Sequence, residues 1–144
     1  MAPLYVDTSA LVKFYYPEEH SDRVEELLLR ADRVYISDLT MVEMASALTQ
    51  KVRTGDLSKR AEAVIWTAFL DDMHAGTVEM VHLLESHHFK AVNIIREFGG
   101  KHGIKTLDAL HLSIAHGLPD ASFLCSDKVL LRIAKAMGIT TAQL

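Results

Sequence analysis

The sequence predicts a three-layered α/β fold, with helices on both faces of a central parallel sheet. Short β-prone runs alternate with segments whose apolar residues recur at helical spacing, and such alternation requires crossover connections that lay helices over the sheet. One segment, Thr106 to His116, is apolar nearly all round, as a helix pressed into a core must be. The 144 residues and 49% hydrophobic content suit a single domain over residues 1–144, and no repeat, low-complexity tract or linker divides it.

Leu4-Tyr5-Val6 opens the chain as a strand, and Ala10 to Tyr16 follows as a helix that Pro17 stops. Ser21 is placed to cap the next helix, in which Val24, Leu27, Leu28 and Ala31 keep helical period while Asp22, Glu25, Glu26 and Arg30 take the wet face. Val34 to Ile36 is the second strand. Met41, Met44, Ala45, Leu48 and Val52 then define a helix from about Leu39 to Val52, ended by Thr54-Gly55-Asp56. Ser58 caps a helix carrying Ala61, Ile65, Ala68 and Phe69, with Trp66 as packing, and Gly76 separates it from a third strand at Val78 to Val81. Glu85 to Phe98 reads as a helix closed by Gly99-Gly100, and Thr106 to His116 as the core helix, stopped by Gly117 and Pro119. A fourth strand at Phe123 to Cys125, a helix from Lys128 to Met137 and a short edge strand at Ile139 to Thr141 complete a sheet of four or five strands.

Composition narrows the setting. The single cysteine, Cys125, lies in an apolar run and reads as a buried thiol, which fits a reducing cytosol. The N-terminal run lacks a basic flank and is too short for a signal peptide, and nothing approaches the roughly 18 apolar residues of a membrane span, so a cytoplasmic protein without membrane contact is expected.

Function is read from four acids. Asp7 follows the first strand, Glu43 lies within two turns of the second, Asp108 is in the first turn of the core helix, and Asp127 follows the fourth strand. Parallel sheets bind ligands beyond the carboxyl ends of their strands, and all four acids map to that edge. Each alone has a structural explanation: Asp7 and Asp127 as helix caps, Asp108 at the positive end of a helix dipole, and Thr40 with Glu43 as a capping box. Taken together they mark a site, because clustered carboxylates repel unless a cation joins them. Oxygen donors without cysteine or obligatory histidine suit Mg²⁺ or Mn²⁺. One such ion, or two about 3.5–4 Å apart, activates a water for in-line attack on a phosphodiester. Asp7, Glu43 and Asp108 are assigned the main metal-binding duty and Asp127 a second-ion or water-positioning duty, with Ser9 and Ser126 as hydroxyl supports.

The 19 acidic and 15 basic residues become equal once the four clustered acids are set aside. Three basic groups can meet a phosphate backbone: Lys51/Arg53/Lys59/Arg60, Lys101/His102/Lys105 and Lys128/Arg132/Lys135. Each also reads as solvated helix surface. The eight histidines show no HxxxH pattern and no partnering cysteines. His111, one turn after Asp108, is either a hydrogen-bonded core histidine or a site contact. Phe14, Tyr15 and Tyr16 are either packing or an aromatic contact for a second subunit.

Tyr5-Val6-Asp7-Thr8-Ser9-Ala10-Leu11, Ile36-Ser37-Asp38-Leu39-Thr40-Met41-Val42-Glu43, Leu107-Asp108-Ala109-Leu110-His111-Leu112 and Leu124-Cys125-Ser126-Asp127 occur in this order. Together they resemble the PIN-domain ribonucleases, especially the VapC-like toxins of toxin-antitoxin pairs, over essentially the whole chain. The resemblance implies a three-layer PIN-like fold, Mg²⁺- or Mn²⁺-dependent cleavage of RNA leaving a 5′-phosphate and a 3′-hydroxyl, a homodimer, and inhibition by a small antitoxin. By position, Asp7, Glu43, Asp108 and Asp127 match the family's four acids and Ser9 the hydroxyl beside the first. Ser126 stands where such sequences often carry threonine. An RNA-processing nuclease or a catalytically idle binding module are the alternatives. A haloacid-dehalogenase-type phosphatase would need an acid where Ser9 stands, and a receiver domain would need an acidic pair at its first strand.

Overall fold

The computed structural model describes residues 2–144; Met1, the first residue of the expected domain span, lies outside them. The elements run β1 (Leu4–Val6), α1 (Thr8–Tyr15), α2 (Ser21–Arg30), β2 (Val34–Ser37), α3 (Asp38–Arg53), α4 (Lys59–His74), β3 (Glu79–Val81), α5 (Glu85–His102), α6 (Thr106–His116), β4 (Ser122–Leu124) and α7 (Lys128–Ala136). The four strands form one sheet in the order β3-β2-β1-β4, with every pairing parallel. A single bridge from Phe123 to Thr141 is all that forms of the expected fifth strand.

β1 is central, and its three residues are fully buried because helices cover both sides. The period-two alternation of a strand sorts them. Tyr5 packs with Phe123 into a core completed by Ala91 and Ile94 of α5, Leu112 and Ile114 of α6, and Leu130 and Ile133 of α7. Leu4 and Val6 point the other way, into a core with Leu11 of α1, Leu27 of α2, Met44 and Leu48 of α3, and Phe69 of α4. One layer is therefore α1 to α4 and the other α5 to α7. The buried polar residues of α6 are satisfied within it or by the sheet, with the Ser113 hydroxyl donating to the Leu110 carbonyl at 2.7 Å.

Three expectations are corrected. Ser21 does not cap α2; His20 occupies the cap position with φ 68°, while the Ser21 hydroxyl accepts from the Glu18 N–H at 2.9 Å and so braces the preceding turn. Gly99-Gly100 does not close α5, which runs to His102 and ends at Gly103, whose φ of 65° is the left-handed conformation that glycine adopts without a Cβ penalty. Thr40 and Glu43 form no capping box: Thr40 accepts the Ser37 N–H at 3.2 Å, and Glu43 lies further along α3. In the aromatic run at the end of α1, Tyr15 packs inward, its ring meeting Phe69 edge-on and its hydroxyl donating to Asp72 at 2.6 Å. Trp66 likewise packs on Phe69. Among the described residues no helix is long and apolar enough to cross a membrane.

Candidate active site

Parallel pairing puts the ends of β1, β2 and β4 on one edge of the sheet. There the Asp7 N–H donates to the Leu124 carbonyl at 3.0 Å, locking the exit of β1 beside that of β4. Both exits turn into helices capped by aspartate. Asp7 Oδ1 accepts from the Ala10 N–H at 3.0 Å and the Ser9 hydroxyl at 2.7 Å. Asp127 Oδ1 accepts from the N–H groups of Val129 and Leu130 at 2.8 and 3.1 Å. The capping explanation therefore holds for these two acids, each through one carboxylate oxygen. The Ser126 hydroxyl donates to Ser9 at 2.9 Å, so the two supporting serines join the corners directly.

Glu43 and Asp108 come from the helices α3 and α6. Glu43 is held by the Thr8 hydroxyl, which donates at 3.0 Å, and by His111 Nε2 in a very short contact. The other ring nitrogen of His111 meets the Tyr5 hydroxyl at 2.7 Å. A buried chain thus runs from β1 through α6 to α3, with His111 only 1% exposed. His111 is a buried, hydrogen-bonded histidine, and its partner on α3 is one of the four acids. The sequence carries no functional signal for Thr8 or Tyr5 beyond their closeness to Asp7, Thr8 in the first turn of α1 and Tyr5 in β1.

Asp7 and Asp108 feel the neighbouring acids. Burial pushes the Asp7 carboxyl up to about 6 against the pull of His111, Ser9 and the Ala10 N–H, with Asp108 adding to the rise. Asp108 is also raised, first by burial and then by Asp127, with Glu43 contributing. In Glu43 burial works upward, but the hydrogen bond and charge of His111 and the Thr8 hydroxyl outweigh it and hold the carboxyl below its usual range. Cys125 sits among Asp7, Asp127 and Asp108, and burial together with these charges pushes its thiol up, leaving sulfur unsuited to ligation.

Among the described residues, no three His, Cys, Asp or Glu side chains stand converged as a ready metal cluster. Glu43 turns to His111 and Thr8, and Asp127 is exposed at the rim. The donor chemistry nevertheless fits a hard divalent ion. It is all carboxylate oxygen, and the raised Asp7 and Asp108 carboxyls are groups whose ionised forms a nearby cation would favour. The remaining histidines are dispersed, His82 on Asp38, His87 on the Leu84 N–H and His116 on Lys90.

The profile of the PIN domain matches residues 4–136. The chain belongs to the PIN domain family. Ribonuclease VapC3 of Pyrobaculum aerophilum is 28% identical over 115 residues, covering 78% of this chain and 80% of that protein. Among solved structures, Mycobacterium tuberculosis VapC20, described as a sarcin-ricin loop cleaving toxin, superposes with a TM-score of 0.71 at 14% identity, over 98% of this chain and 99% of that one. VapBC2 of Rickettsia felis, solved with a DNA fragment from its promoter, gives 0.63 at 17% identity over 91% and 92%. At these identities the superpositions speak for fold, and the PIN-like α/β/α architecture expected from the sequence stands.

Proposed function

We propose that this PIN-domain protein is a metal-dependent endoribonuclease and the toxin of a toxin-antitoxin pair. The observation that carries this reading is that four separate elements bring Asp7, Glu43, Asp108 and Asp127 to one sheet edge, where Asp108 helps to raise Asp7, and Asp127 and Glu43 help to raise Asp108. Similarity to Ribonuclease VapC3 supports the RNA substrate and the toxin role. In this reading the chain acts as one domain in the cytoplasm, as a homodimer restrained by a small antitoxin.

Asp7, Glu43 and Asp108 would hold the ion, Mg²⁺ or Mn²⁺, with Asp127 serving a second ion or orienting water. A bound divalent ion supplies positive charge to the scissile phosphate and an acidified water for attack. The chain's own residues prepare that chemistry. Ser9 and the Ala10 N–H fix one oxygen of Asp7 and leave the other directed by the same rotamer. Thr8 and His111 orient Glu43, and Tyr5 in turn orients His111. This second layer matters because carboxylates that must meet one ion lose affinity when they are free to swing.

The test is cleavage of synthetic RNA by purified protein with Mg²⁺ or Mn²⁺, with chelator, and with Asp108→Asn. Cleavage that needs the metal and disappears in the variant supports the nuclease; equal cleavage by Asp108→Asn rejects the assignment. Growth arrest on expression, relieved by the product of an adjoining short reading frame, distinguishes a toxin from a processing enzyme or an idle module.

A further inference from the structure

We propose that Lys13 and Lys51 form a binding subsite for a backbone phosphate of the RNA strand, next to the scissile position, and that Glu18 occupies this subsite in the free protein. The inference rests on the nuclease reading for its ligand and adds the residues that hold it. A groove of about 410 Å³ starts at Ser9 and Ser126 and runs between α1 and α3, lined further along by Lys13, Glu18, Gln50 and Lys51. Ser9 touches Asp7, so the mouth of the groove is the edge of the acidic site. Lys13 lies one helical turn beyond Ser9 on α1, about 6 Å along the axis, a step of the order of one nucleotide.

The two ammonium groups already clasp an oxyanion. Lys13 Nζ lies 3.3 Å from Glu18 Oε1, and Lys51 Nζ lies 3.6 Å from Glu18 Oε2. Two non-bridging oxygens of a backbone phosphate present the same bidentate pattern with the same single negative charge. The lysines are held in place: their side chains are only 13% and 20% exposed, and Lys51 rests over the Tyr16 ring at 4.1 Å from its centroid. The Glu18 turn is braced by Ser21. Asp56 also lines the groove, so in the free protein its two lysines are balanced by two carboxylates, and the ammonium groups become available to a phosphate when Glu18 gives way. A chain of net charge −4 with acids at its active edge requires such local positive points to retain a polyanion.

Glu18 sets the sign that separates this proposal from a structural ion pair. If the trio is only a strut between α1 and α3, removing any member weakens the protein and leaves RNA affinity alone. If Glu18 stands in for phosphate, removing its charge frees the subsite and tightens binding.

The experiment measures binding of a short fluorescent single-stranded RNA to the full chain carrying Asp108→Asn, in Mg²⁺, across a salt series. Lys13→Ala and Lys51→Ala are each expected to weaken binding roughly tenfold and to reduce the salt slope by about 0.7, the contribution of one phosphate contact on a single strand. Lys51→Arg should retain binding, and Glu18→Gln should tighten it severalfold. Should the alanine variants misfold, Glu18→Gln and Lys51→Arg still decide the matter. Unchanged affinity and slope in folded alanine variants, or weaker binding by Glu18→Gln, overturns the subsite, and cleavage by the wild type would then leave the nuclease reading standing. RNA binding that is unaffected while a protein partner is lost would assign the groove to that partner and equally overturn the proposal. If the parent binds no RNA and the wild type cuts none, both readings fall together.

Discussion

At the ends of β1 and β4 the chain makes the same manoeuvre: a buried strand stops, an aspartate caps the next helix through Oδ1, and a serine stands beside it. The two aspartates nevertheless end in different surroundings. Asp7 is 4% exposed and its carboxyl is pushed up to about 6, whereas Asp127 lies open at the rim. The local backbone problem was solved identically, and the difference comes from position in the sheet. β1 is flanked by β2 and β4 and roofed by α3 and α6, while β4 has only a single bridge on its outer side. Capping is therefore a property of short sequence, and desolvation a property of the whole fold.

The contrast is tested most strongly by Asp7→Asn. RNA cleavage should fall by roughly a thousandfold or more, on the scale of losing a principal electrostatic group, while the fold becomes more stable at neutral pH. Because the folded pKa of Asp7 lies above its unfolded value, the folded state binds the proton more tightly. The stability gained from that proton is fully present below pH 3.8, declines as pH rises, and is lost above about 6. At pH 7 the ionised carboxylate costs about 3 kcal/mol, less whatever its hydrogen bonds return. Melting curves of Asp7→Asn and wild type should thus diverge with rising pH and approach one another in acid. Curves that run parallel from pH 4 to pH 8 would remove the desolvation argument. Millimolar Mg²⁺ should raise the melting temperature of the wild type more than that of the variant.

His111→Phe comes next. It strips Glu43 of its main hydrogen-bond partner and leaves the buried Tyr5 hydroxyl with Ser37 alone, for a loss of about 2–3 kcal/mol measured by denaturant unfolding. Glu43 should then titrate higher, since the imidazole is what holds it down, and the acid limb of the cleavage profile should move to higher pH. Asp127→Ala should cost about 1 kcal/mol as a lost helix cap, and Asp127→Asn much less, because asparagine caps equally well. Both should slow cleavage by about ten- to a hundredfold, so a stable but slowed Asp127→Asn would separate capping from chemistry at the exposed corner. The smallest effect is expected from His20→Gly, where relief of the left-handed backbone should change stability by no more than about 1 kcal/mol.

Strand-helix alternation, the buried α6 and the four acids were all legible in the sequence, because hydrophobic period and an acid directly after a strand are local signals. What the sequence does not show is long-range. Nothing near Glu43 in the chain indicates that its partner is 68 residues away in His111, and nothing near Tyr5 points to its partner 106 residues away. The end of α5 was misplaced for a related reason. Gly99 and Gly100 are tolerated inside a helix packed on α6, with Gly99 facing Ile95 and Ile104, so tertiary contact overrode the usual helix-stopping tendency. Glu18 gave no sign at all, since a glutamate after a proline reads as ordinary turn surface until α1 and α3 bring two lysines to it.

The pairing of β1 with β4 joins Leu4 to Ser122 and Val6 to Leu124, almost the full span of the polypeptide. During synthesis the carboxylate at position 7 emerges early and that at position 127 near the end, so a nascent chain on the ribosome has no complete acidic edge until the last strand slots in beside the first. A prematurely stopped message yields a piece that lacks one corner of that edge, whatever chemistry the finished edge performs.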